Sequence, residues 1–111
     1  GYLGQTDDVT AQLVADLGEV PTAETMLDLG LIVAEAFASE EPESRIVMSV
    51  APTVGDLGEV TYDVIGLGDD ALFGIRLHVF GMPDEGGEGF VLKTVEQTLI
   101  CGRGLSDGLC V

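Results

Sequence analysis

The chain has 111 residues, 46% of them apolar, and sets 20 acidic residues against four basic ones, for a formal charge of −16. The length suits one domain with a modest core, the apolar share is too high for a disordered chain, and the charge repels phosphate backbones and anionic membrane surfaces, so no nucleic-acid partner is expected. With no Trp, four Phe and two Tyr, the core must be aliphatic.

Thr6-Asp7-Asp8 reads as the cap of a first helix, with acids where the helix dipole favours them. Val9, Leu13, Val14 and Leu17 follow at helical spacing, Gly18 stands where a stop belongs, and Pro21 comes shortly after. A second helix is predicted from about Thr22 to Ala38. Met26, Leu27, Leu29, Leu31, Ile32, Val33, Ala36 and Phe37 make it apolar on most sides, so deep burial is expected. Gly30 in its middle costs about 1 kcal/mol relative to Ala, a cost that the close approach of another backbone would explain. Glu40-Glu41-Pro42-Glu43-Ser44 then turns the chain.

Strand patterns occupy the rest. The first covers about Arg45 to Ala51 and is followed by turn-like residues from Thr53 to Gly58. The second covers about Glu59 to Leu67, with Gly68-Asp69-Asp70 as a tight connection to the third, at about Leu72 to Gly81. The fourth covers about Gly89 to Cys101, beyond the loop Pro83 to Glu88. Alternation puts Val60, Tyr62 and Val64 on one face of the second strand and Glu59, Thr61 and Asp63 on the other. In the third strand Phe73, Ile75, Leu77 and Val79 share a face, opposite Gly74, Arg76 and His78. Lys93 alternates onto the face of Val91, Val95 and Leu99, which puts the register of the fourth strand in question. Short connections make neighbouring strands antiparallel. The expectation is a single α+β domain over residues 1–111, with two N-terminal helices on one face of a four-stranded antiparallel sheet and a disulfide loop at the end. No apolar run approaches the ~20 residues of a membrane-spanning helix, and any signal peptide or lipid anchor would lie ahead of Gly1.

Cys101 and Cys110 are the only cysteines. A pair so close to the end reads as a disulfide that pins the tail, which implies an oxidising compartment. Closing a loop of about ten residues contributes roughly 2.7 kcal/mol on chain-entropy grounds. The spacing lacks the Cys-x-x-Cys pattern of redox pairs, and two Cys with one His fall short of a closed zinc site.

His78 is the only histidine. Asp63 and Ser49 would complete a catalytic trio by composition, but no nucleophile-elbow motif accompanies them, so a polar residue on an exposed sheet face is the simpler reading. Arg76 opposite Asp63 would make a cross-strand ion pair. The functional alternative joins Arg45, Arg76 and His78, with Asp63 beside them, into a patch for an acidic ligand or a partner carboxylate. The clusters Asp7-Asp8, Asp69-Asp70 and Asp84-Glu85…Glu88 follow no calcium-loop spacing. Gly66-Leu67-Gly68 lacks the third Gly of a nucleotide loop, and neither cofactor nor metal is expected.

The stretch Val95-Glu-Gln-Thr-Leu99-Ile-Cys101-Gly-Arg103-Gly104-Leu-Ser-Asp107-Gly108-Leu-Cys110-Val111 resembles the ending of small exported or lipid-anchored actinobacterial proteins of unknown function, whose last strand runs into Cys-x-Arg-Gly and a second Cys near the terminus. The resemblance spans about the last 17 residues. It implies export to the cell envelope and a disulfide, and it carries no activity. The order of helices before a strand meander is also similar to cystatin-like and nuclear-transport-factor-like folds, an architectural likeness that transfers no function.

The leading expectation is a non-enzymatic extracytoplasmic module that binds a small molecule or protein partner through its bare sheet face or exposed edge. The alternatives are a small hydrolase or lyase with Asp63, His78 or Tyr62 in a pocket between helices and sheet, and an oligomerising domain whose bare sheet pairs with a second copy.

Overall fold

A computed structural model describes residues 2–38, 44–52, 58–66 and 71–111. In chain order the elements are β1 (Tyr2–Asp8), α1 (Thr10–Leu17), β2 (Thr22–Ala23), α2 (Met26–Phe37), β3 (Arg45–Val50), β4 (Glu59–Ile65), β5 (Leu72–Pro83), β6 (Phe90–Cys101), β7 (Leu105–Ser106) and β8 (Leu109–Cys110). The connections expected at residues 40–43, 53–57 and 68–70 lie outside the described residues.

The architecture is α+β with both helices before the strand meander, as anticipated, but the main sheet has six strands rather than four. Its order is β1-β6-β5-β4-β3, with β2 also paired to β6, and every pair is antiparallel. One extra strand, β2, comes from a segment read as helix, and the other, β1, takes in the residues read as a helix cap. Thr6 and Asp7 belong to β1, where Thr6 faces Thr98 and Asp7 faces Gln97 across the ladder. Asp8 alone serves the helix start: its Oδ1 accepts from the Thr10 amide at 2.9 Å and from the Thr10 hydroxyl at 2.6 Å. These bonds, the hydroxyl's first, hold the Asp8 carboxyl below its usual range. Gly18 ends α1 as predicted, in the left-handed conformation, with its amide bonded to the Val14 carbonyl.

The second helix begins four residues later than predicted. Thr22 and Ala23 pair with β6 instead, and Thr25 caps α2 by accepting from the Asp28 amide at 3.0 Å. Met26, Leu29, Gly30, Val33 and Ala34 form its buried stripe, at the spacing that keeps one face of a helix in register. Leu27 and Leu31 are exposed, because a two-layer fold offers α2 one sheet face and little else. Against that stripe lie Val60, Tyr62 and Val64 of β4, Ile75, Leu77 and Val79 of β5, and Leu92 and Val95 of β6.

Gly30 is explained by side chains rather than by a backbone. A Cβ there would stand 2.5 Å from Cγ1 of Val60 and 2.6 Å from Cε2 of Tyr62, two residues that are themselves buried. The glycine lets α2 settle onto β4. Replacing it exchanges a helix-propensity gain of about 1 kcal/mol for an overpacking cost of about 1–3 kcal/mol. Gly30→Ala is therefore expected to lower the urea midpoint of unfolding despite favouring the helix, with Gly30→Val lowering it further.

Candidate functional site

Strand alternation divides the sheet into a helix-covered face and an outward face. On the outward face the registers build four rows. Arg45, Ile65, Gly74, Ile100 and Leu3 make the first, and Val47, Asp63, Arg76, Thr98 and Thr6 the second. Val50, Thr61, His78, Glu96 and Asp8 make the third, and Glu59, Phe80 and Thr94 the fourth. Both helices lie on the other face, though Thr61, Ile65 and Ile100 within these rows are buried.

Asp63 and Arg76 sit directly opposite one another and form the anticipated ion pair in two-pronged geometry. Nε of Arg76 donates to Oδ1 at 2.9 Å and Nη2 donates to Oδ2 at 3.1 Å. The hydrogen bonds from Asp63 push the Arg76 pKa above its already high value. The Arg76 side chain is 37% exposed and Asp63 16%, so solvent screening keeps the pair's worth near 1 kcal/mol or below. Its charges cancel locally. Arg45 lies on the same face but two strands away from Arg76, and His78 stands next to carboxylates: its Nε2 is 3.6 Å from Oε2 of Glu59, and its ring packs on Phe80 at 4.2 Å between centroids. The four residues Arg45, Asp63, Arg76 and His78 thus share a face, as a neutral pair with flanking groups rather than a concentrated cationic patch.

The catalytic arrangements are not assembled. Tyr62 points to the helix side, and its hydroxyl donates to the Leu27 carbonyl at 3.0 Å, while Asp63 and His78 point to the other. A strand cannot put consecutive residues into one pocket. Asp63 is engaged by Arg76 rather than by His78. Ser49 is the extra residue of a bulge in β3, a strand that reaches β5 only through β4. Among the described residues no group of three or more His, Cys, Asp and Glu is arranged to hold a metal ion.

A feature that alternation misplaces is Phe73. Alternation puts it on the face of Ile75 and Leu77, but it is the extra residue of a bulge between Leu72 and Gly74, and it is 50% exposed. There it lines, with Asp63, Arg76, Ile100 and Gly102, an open depression of about 420 Å³ on the outward face. A second depression, of about 180 Å³, lies beside the end of α1 and is lined by Leu17, Glu19, Pro21, Thr22 and Ile32. Only the first combines an exposed aromatic ring with a fixed donor–acceptor pair.

Cys101 and Cys110 are joined, with their Cα atoms 5.1 Å apart. Cys101 is fully buried at the end of β6, and the loop between the cysteines is a hairpin of β7 and β8. Asp107 and Gly108 both take positive φ at its tip, 53° and 79°. That is the turn favoured by an Asp-Gly pair between two short strands, a signal present in the sequence. No helix among the described residues is long and apolar enough to cross a membrane. No family model matches the chain, nor does any curated protein or solved structure.

Burial first, and then Asp28, raise the pKa of Tyr62 above its ordinary value. Because the unfolded chain then loses the phenol proton first, this residue's contribution is complete below about pH 10 and is lost as the pH rises through the folded value. Tyr62→Phe should cost about 1 kcal/mol at neutral pH through the lost hydrogen bond, and its urea stability should fall less steeply than that of the native protein above about pH 10.

Proposed function

We propose that this protein is a non-enzymatic binding module of the cell envelope, held outside the cytoplasm, that receives a ligand or partner on its outward sheet face. One observation carries the reading: the depression in which the exposed Phe73 ring and the buried Ile100 meet the Asp63–Arg76 pair. The pair uses Nε and Nη2 of Arg76, and among the described residues Nη1 has no hydrogen-bond partner, which suits it to an incoming acceptor. Phe73 supplies an apolar face beside it. A ligand with an apolar body and a carbonyl or carboxylate end matches that lining. Arg45 and His78 share the face but are not among the residues that line the depression.

The Cys101–Cys110 bond supports the compartment, because disulfides persist where the cell does not keep thiols reduced. The resemblance of the last residues to exported actinobacterial proteins supports the same assignment. Pairing of the whole outward face with a second copy is less favoured, since it would bring two sets of Glu59, Glu96 and Asp8 together.

A fragment screen by NMR tests the site. Binders are expected to shift Phe73, Arg76 and Ile100 together, and Phe73→Ala should abolish those shifts while leaving the rest of the spectrum in place. Shifts scattered over the surface, or gathered at Leu17 and Ile32, would refute the assignment. The compartment is tested on protein isolated from its native source, in which thiol titration should find no free sulfhydryl.

A further inference from the structure

The two edges of the main sheet are treated differently. At one edge, β1 continues into contact with the β7–β8 hairpin: the Gln5 amide donates to the Gly108 carbonyl at 2.8 Å. Gly4 permits that approach, since a Cβ there would stand 2.6 Å from the same oxygen. The disulfide holds the hairpin in place. At the other edge, β3 pairs with β4 alone, and among the described residues no backbone hydrogen bond leaves Arg45–Val50 on the far side. In an extended strand, groups that do not face the paired neighbour face the other way, so among the described residues β3 presents a row of donors and acceptors with no backbone partner.

The side chains along that edge are apolar on both faces. Val47 is 44% exposed and Val50 56% on the outward face, and Met48 is 44% exposed on the helix side. A globular partner resting on one face would cover one set only. An added strand would cover both and would also use the backbone groups. Charge then selects among strands. A second copy brings another formal charge of −16, whereas a basic segment is complementary to it.

We propose that the free edge of β3 takes up an extended segment of a partner protein, apolar and basic in alternation, as an additional strand of the sheet. The site is separate from the outward depression and does not depend on it. Arg45, at the start of β3, is the only cation on the strand, and it opposes basic groups at that end.

The test titrates a short acetylated and amidated peptide of alternating lysine and valine into the oxidised protein, with amide resonances and hydrogen exchange followed together. Shifts and slowed exchange should concentrate on Arg45–Val50. Methylating alternate peptide nitrogens, which removes the donors of one edge, should weaken binding about tenfold or more. A glutamate-for-lysine peptide should not bind. Val47→Lys should weaken binding of the basic peptide and Arg45→Glu should strengthen it severalfold, both from exposed positions that leave the core intact. Binding that is indifferent to N-methylation, shifts centred on Phe73 and Arg76, or no binding at all would overturn the proposal. So would protection of β3 that grows with protein concentration and no peptide present, which would give the edge to a second copy.

Discussion

Phe90 to Cys101 carry backbone hydrogen bonds along both edges, and the rest of the molecule is arranged around that strand. One edge of β6 belongs to β5. The other is shared out residue by residue. β1 pairs with Glu96 to Cys101, the Val9 amide reaches the Val95 carbonyl, and the Thr10 hydroxyl accepts from the Val95 amide at 2.9 Å. The Leu92 amide bonds to the Pro21 carbonyl, and β2 takes Val91 and Phe90. A buried strand cannot leave such groups without partners at tolerable cost. The path of the first 23 residues, strand, helix and strand, is therefore the path that satisfies one edge of β6. The disulfide then anchors its last residue.

This arrangement determines which side chains can act together. Antiparallel pairing with short connections fills the helix-covered face with aliphatic residues and puts Asp63, Arg76 and His78 on the outward face, beside Val47, Ile65, Phe80 and Ile100. Consecutive residues 62 and 63 consequently serve different ends: Tyr62 ties β4 to α2, and Asp63 holds Arg76 in a fixed orientation. A salt bridge that neutralises itself is a poor attractor of charge but a well-positioned hydrogen-bonding surface. Phe73 and Ile100 add apolar surface beside it.

The helix–sheet layering, the four long strands and the faces of β4 were legible because aliphatic periodicity is strong there. What was not legible follows from two physical causes. Bulges are the first. Ser49, Phe73 and Lys93 are each an extra residue in a ladder, and simple alternation misassigned Phe73 and left Lys93 in doubt. At Lys93 the bulge also settles the register, since it allows Leu92 and Val95 both to reach the core while Lys93 stays exposed. The second cause is that edge strands can be held by backbone alone. β1 is exposed over nearly its whole length, so its side chains carry no pattern, and Thr6-Asp7-Asp8 read as a helix cap. The depression shares the first cause, because its aromatic wall exists only through the bulge at Phe73.

An exposed edge with valine and methionine on it is ordinarily a hazard, and proteins guard such edges with lysine, proline or a bulge. β3 has the bulge at Ser49 and a single arginine. The remaining guard is the charge of the entire surface, which makes two copies repel before their edges can meet. Repulsion between exposed charges is screened over about 8 Å at physiological salt, so it discriminates on close approach, where a like-charged copy is resisted and a basic segment is not. The acidity of the chain and the openness of one sheet edge are in this sense a single feature. On the proposed reading the surface charge sets what is turned away, and the β3 backbone, without a second partner strand among the described residues, sets what is received.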